Sequence, residues 1–99
     1  PNVSRGLPTI VMAQGSFCGY CQKAKPAYQQ LANNIKTVNV ATLKIDGNPS
    51  EKKASSRLKQ LDPSYRGVPT YLGFDKNGRY VKTHSGRDYN SLLNFANSL

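Results

Sequence analysis

Two cysteines, Cys18 and Cys21, are the only ones in this 99-residue chain, and they stand two residues apart in SFCGYCQKAKP (16–26). A pair at this spacing can be half of a metal site, a structural clip or a reactive dithiol. A closed zinc centre takes four ligands, mostly Cys and His. With the single His84 the chain offers three, and nothing in the spacing of its Asp and Glu residues completes a set. As a clip, the pair closes too short a ring to remove much unfolded-chain entropy. So small a ring also constrains the disulfide toward easy reduction. The dithiol reading has a mechanism: one sulfur attacks as a thiolate, and the second then closes the ring and expels the bound partner. The spacing favours this chemistry over stapling.

The flanking residues predict how the pair is held. TIVMA (9–13) is β-branched and apolar on both faces, as a central strand covered on both sides is. Gly15 and Gly19 then permit a tight strand-to-helix turn. From Cys18 to about Asn33, Ala24, Ala27, Tyr28, Leu31 and Ile35 recur at helical steps, with Lys23, Lys25, Gln29 and Gln30 on the other face. Pro26, inside this run, removes one backbone donor and predicts a kink. Cys18 thus falls at a helix N-terminus, where the free N–H groups of residues such as Tyr20 and Cys21 favour a thiolate. Lys23 and Lys25 add positive potential, screened where exposed. Cys21 falls one turn later, on the buried side.

VATLKID (40–46) alternates as a second strand and ends in DGNP, where Asn48 or Ser50 can cap a helix from Pro49 to about Lys59. GVPTYLGFD (67–75) predicts a third strand, DKNG (75–78) a hairpin turn, and RYVKTH (79–84) an antiparallel return. A last helix starts near Asp88, with Tyr89, Leu92, Leu93, Ala96 and Leu99 on one stripe. Strands joined through a crossover helix lie parallel, and hairpin partners antiparallel. The fold class is therefore α/β: a four-stranded mixed sheet with helices on both faces, forming one domain over residues 1–99 with 1–7 irregular.

Fourteen Lys and Arg against five Asp and Glu give a net charge of +9. Such a field attracts nucleic acid, anionic surfaces or acidic proteins. The basic residues are scattered, however, with no arginine-rich stripe and no aromatic-interleaved RNA-binding signature, so a specific nucleic-acid site is not favoured. No apolar run approaches the ~20 residues that cross a bilayer. PNVSRGLPT (1–9) has no basic-then-apolar order of a leader. The chain reads as soluble, its compartment open, with the cytoplasm favoured.

CGYC followed by Pro26, LKIDGNP (43–49), RGVPT (66–70), FDKNG (74–78) and Gly86 before the last helix together resemble the thioredoxin family, in order from about Leu7 to the end. The resemblance implies a thiol–disulfide oxidoreductase and electron carrier that acts on protein disulfides or dithiols, with Cys18 as nucleophile and Cys21 as resolving thiol. It implies a cis Val68–Pro69 bond against the pair, with Val68 offering its backbone to an extended client. A rim of Phe17, Gly19, Tyr20, Tyr65 and Gly86 is implied around it, with Pro26 structural. A monomer is implied, needing no metal or organic cofactor, with a thiol reductase or glutathione as electron partner. The direction of exchange stays open. The alternative is a basic, non-enzymatic module that uses the same fold to hold protein or nucleic acid.

Four departures stand out. The family usually has a strand and helix before the segment matching TIVMA, whereas only residues 1–7 precede it here, so the domain is expected to be trimmed and strand 40–46 an exposed edge guarded by Thr42 and Lys44. Met12 stands where thioredoxins carry a buried acid, and Thr42 where a lysine often accompanies it, which implies a slower resolving step and a raised Cys21 pKa. Phe17 replaces a tryptophan, and Gly19-Tyr20 resembles the intervening pair of some disulfide isomerases.

Overall fold

The computed structural model describes residues 6–15, 18–45, 49–63, 65, 68–84, 86 and 88–99, the side chains of 49–51, 54 and 55 excepted. Strand β1 (Thr9–Gln14) is apolar on both faces because both faces are covered. Ile10 and Met12 enter one core cluster and Ala13 another. β1 pairs in parallel with β2 (Asn39–Lys44) and antiparallel with β3 (Thr70–Phe74), and β4 (Tyr80–His84) returns antiparallel along β3. The sheet order is β2-β1-β3-β4, the mixed four-stranded sheet anticipated from the sequence.

Helices α1 (Gly19–Asn34) and α3 (Tyr89–Asn97) cover the face that carries Ile10, Met12 and Tyr71. Helix α2 (Pro49–Leu61) places Leu58 against Ala13 and Leu72 on the opposite face. On α1 the buried stripe is Cys21, Ala24, Tyr28 and Leu31, spaced by three and four residues, so packing the helix also buries the second cysteine. The Tyr28 hydroxyl donates toward the carbonyls of Ile10, at 3.0 Å, and Ala41, which ties α1 to the β1–β2 pair. Burial raises the pKa of that phenol far above its usual range.

Among the described residues β2 has no strand on its outer side, and Thr42 and Lys44 are exposed on it. The hairpin between β3 and β4 is organised by Asp75, whose carboxylate accepts the N–H groups of Asn77 (2.8 Å) and Arg79 (3.0 Å). Gly78 sits at φ +82°, a conformation that a Cβ would disfavour. The acceptor role of Asp75, with the Arg79 N–H first, holds its pKa below the ordinary carboxylate range.

Several boundaries differ from the sequence reading. β3 starts at Thr70 rather than residue 67, since Pro69 has no N–H to give a ladder. α2 begins at Pro49, so Ser50 is inside the helix rather than its cap, while Asn48 lies outside the described residues. Neither Gly15 nor Gly19 takes a positive φ. Phe95, absent from the predicted stripe of α3, is buried and stacks on His84 at 4.8 Å between centroids, whereas Leu99 follows the helix end. Among the described residues no helix is long and apolar enough to cross a membrane.

Candidate active site

Cys18 is the N-cap of α1. Its backbone is extended (φ −88°, ψ 110°), and its Sγ accepts the N–H of Cys21 at 3.1 Å. Sulfur here does what a Ser or Asp oxygen does at other caps: it satisfies one of the orphan donors of the first turn. The same donor stabilises negative charge on the sulfur, and so does the positive end of the helix. On its other side Cys18 Sγ stands 3.7 Å from the Val68 carbonyl, to which the thiol donates. The Val68–Pro69 peptide is cis. These contacts join two segments fifty residues apart, and both cysteines are free thiols.

Cys21 differs in every respect that governs reactivity. It is fully buried, in one cluster with Ile10, Met12 and Tyr71. Burial pushes its pKa up, and the Cys18 side chain pushes the same way through a hydrogen bond and through charge. A backbone hydrogen bond from Gly15 and the charge of Lys25 pull it down, and burial wins. The half-buried Cys18 is therefore the accessible sulfur and Cys21 the protected one, within one helical turn of it.

The remaining candidates are distributed unevenly. Gly19 opens α1 and is exposed, and Tyr20 beside it is 62% exposed, next in sequence but one to Cys18. Pro26 lies on the exposed side of α1, which runs unbroken through it. Val68 packs against both core clusters. Tyr65 packs against the cluster of Ala13, Leu58 and Leu72, so its ring is partly engaged on the α2 side of the sheet. Gly86 sits against the His84–Ser91 pair, whose Nε2 and Oγ are 2.7 Å apart. A Cβ at position 86 would stand 2.2 Å from Ser91 Oγ, so only glycine fits there without moving that pair. Phe17, Arg66 and Gly67 lie outside the described residues.

Two features of this site escape sequence reading. The resemblance places the Val68–Pro69 bond against the pair, but that the Val68 carbonyl itself faces the first sulfur is a detail only the tertiary fold arranges. Gly15, at the end of β1, bonds the second sulfur through its backbone, and a backbone group leaves no residue-type signal. Met12 is fully buried and pairs in register with Thr42 across β1 and β2, so the two positions without acid and lysine are neighbours.

The thioredoxin family model matches residues 3–98. The chain is 28% identical over 106 residues to the thioredoxin-like protein 453L of Invertebrate iridescent virus 6, covering 92% of this chain and 76% of that protein. It is 32% identical over 93 residues to the protein disulfide-isomerase erp38 of Neurospora crassa, covering 91% of this chain but 24% of the isomerase. Among solved structures, the short form of thioredoxin f from spinach chloroplast superposes with a TM-score of 0.73 at 26% identity, covering 95% of this chain and 77% of that one.

Proposed function

Because this chain belongs to the thioredoxin family, we propose that it exchanges disulfides with protein clients through Cys18 and Cys21. Thiol–disulfide oxidoreductase activity in general is supported by family membership and by the disulfide-isomerase relative. The observation that carries the finer reading is the asymmetry of the two sulfurs: a half-buried Cys18 that accepts the Cys21 N–H at 3.1 Å, and a fully buried Cys21 one turn behind it.

The exchange runs in two displacements. The Cys18 thiolate attacks one sulfur of a client disulfide; the Cys18–client bond forms as the client bond breaks, and the other client sulfur leaves as a thiolate that takes a proton from water. Cys21 then loses its proton and attacks Cys18 Sγ. The Cys18–Cys21 bond forms, the mixed disulfide breaks, and the second client sulfur departs with the bonding electrons. Two electrons have passed from the dithiol to the client, and the reverse sequence oxidises a client dithiol. A thiol reductase or glutathione restores the dithiol.

Val68 presents its backbone to an extended client beside the reactive sulfur, with Tyr20, Gly19, Gly86, Pro69, Phe17 and Tyr65 as the surrounding rim. The chain acts as a monomer, since each step uses residues of one copy. In the test, Cys21→Ser is incubated with disulfide-containing protein clients and resolved without reductant. Covalent complexes through Cys18 accumulate because nothing resolves them, and added dithiothreitol releases them. Absence of any trapped complex, with the parent inactive in insulin reduction, rejects the reading.

A further inference from the structure

Among the described residues the core cluster that holds the buried resolving thiol contains no carboxylate, and Met12 is part of it. What the fold provides instead lies along α1. Lys25 follows Cys21 by four residues, the spacing that makes helix side chains neighbours. Its side chain lines a cavity of about 520 Å³ shared with Met12, Gln14, Gln22, Tyr28 and Thr42. Among the described residues of that lining, Lys25 is the only charged one. Gln14 contributes a carbonyl oxygen, Oε1, that is buried without a hydrogen-bond partner. A buried acceptor left unmet is costly, and the Lys25 amine on the same cavity wall is a donor that can meet it.

We propose that Lys25 is a positioning residue for the resolving step: its ammonium leans into this cavity onto Gln14 Oε1 and stabilises the Cys21 thiolate as it forms. The proposal rests on the dithiol reading above. The Cys21 proton passes to water rather than to Lys25, and the thiolate then closes the ring. The charge of Lys25 acts on Cys21 against burial, in the direction this role requires. Among the described residues, the other titratable side chains packed into the cluster around Cys21 are Cys18, Tyr28, Tyr71 and Tyr89.

The test compares Lys25→Gln and Lys25→Arg, each loaded at Cys18 with an aromatic thiol whose release is followed by absorbance. Removing this one charge slows ring closure by about threefold at low salt. The deficit shrinks as added salt slows the parent, and Lys25→Arg retains the parent rate. Gln14→Met slows closure in the same direction and adds nothing on top of Lys25→Gln. Titration of Cys21 in a Cys18→Ser background, which needs no turnover, shows the Lys25→Gln thiol deprotonating at higher pH than the parent. Equal closure rates and coincident titrations for Lys25→Gln and the parent overturn the proposal. A parent that never closes the ring, with Cys21 still shifted by Lys25→Gln, overturns the dithiol reading instead.

Discussion

Cys18→Ser abolishes disulfide exchange, lowering turnover by about a thousandfold or more, as loss of a covalent nucleophile does. The substitution is informative because it leaves the fold intact. Serine is among the preferred N-cap residues, so its hydroxyl inherits the Cys21 N–H that the sulfur accepts at 3.1 Å, and α1 keeps its cap. Thermal unfolding of Cys18→Ser therefore overlays that of the parent within a degree or two, while insulin reduction disappears. Cys18→Ala loses activity equally but also loses about 1 kcal/mol of capping energy. A basic module that only holds a partner behaves otherwise: its binding weakens with salt and is indifferent to Cys18→Ser.

Met12→Asp speeds the resolving step and weakens the fold. Met12 is fully buried in the cluster that holds Cys21, lines the cavity it shares with Gln14 and Lys25, and pairs with Thr42 in register. A carboxylate there accepts the Cys21 proton, and a positioned base of this kind accelerates proton-limited steps by roughly tenfold or more. The cost has two parts: lost methionine packing and burial of a polar group among Ile10, Tyr71 and Leu31. Together they amount to about 3 kcal/mol. Met12→Asn is the control, because it carries a comparable cost and no base. Mixed-disulfide release measured in single turnover should rise in Met12→Asp alone. Equal rates in the two variants would show that proton removal from Cys21 does not limit ring closure.

The fold was legible because its signals are local. The doubly apolar TIVMA run marked the central strand, the three- and four-residue spacing of Ala24, Tyr28 and Leu31 marked α1, and DKNG marked the hairpin that Asp75 and Gly78 close. The crossover rule then ordered β1 and β2 as a parallel pair. What escaped was set by long-range contact. Nothing near Phe95 in sequence announces that it stacks on His84, or that Gly86 must stay small beside His84 and Ser91. At the site, Cys18 and Cys21 were evident as a pair, and Cys18's place at a helix end followed from the strand-to-helix break. The Val68–Pro69 bond beside the pair followed from the resemblance, whereas the Gly15 backbone bond and the orphan oxygen of Gln14 could not be foreseen, since each depends on where a backbone or a half-buried amide lands after folding. Tyr65, placed on the rim by resemblance, also packs against the cluster of Ala13, Leu58 and Leu72, a contact that no local pattern announces.

The central claim is that one helical turn holds two thiols of unlike character. Alkylation of the reduced protein across a range of pH, with the modified residues located by peptide mass mapping, tests it most directly. Cys18 should react first, with a midpoint below that of a free cysteine, since the Cys21 N–H and the helix terminus outweigh the longer contact to the Val68 carbonyl. Cys21 should stay unmodified until the pH is well above that range, because burial opposes its thiolate. A Cys18 that titrates like a thiol in free solution, or a Cys21 that is alkylated as fast as Cys18, would contradict the account.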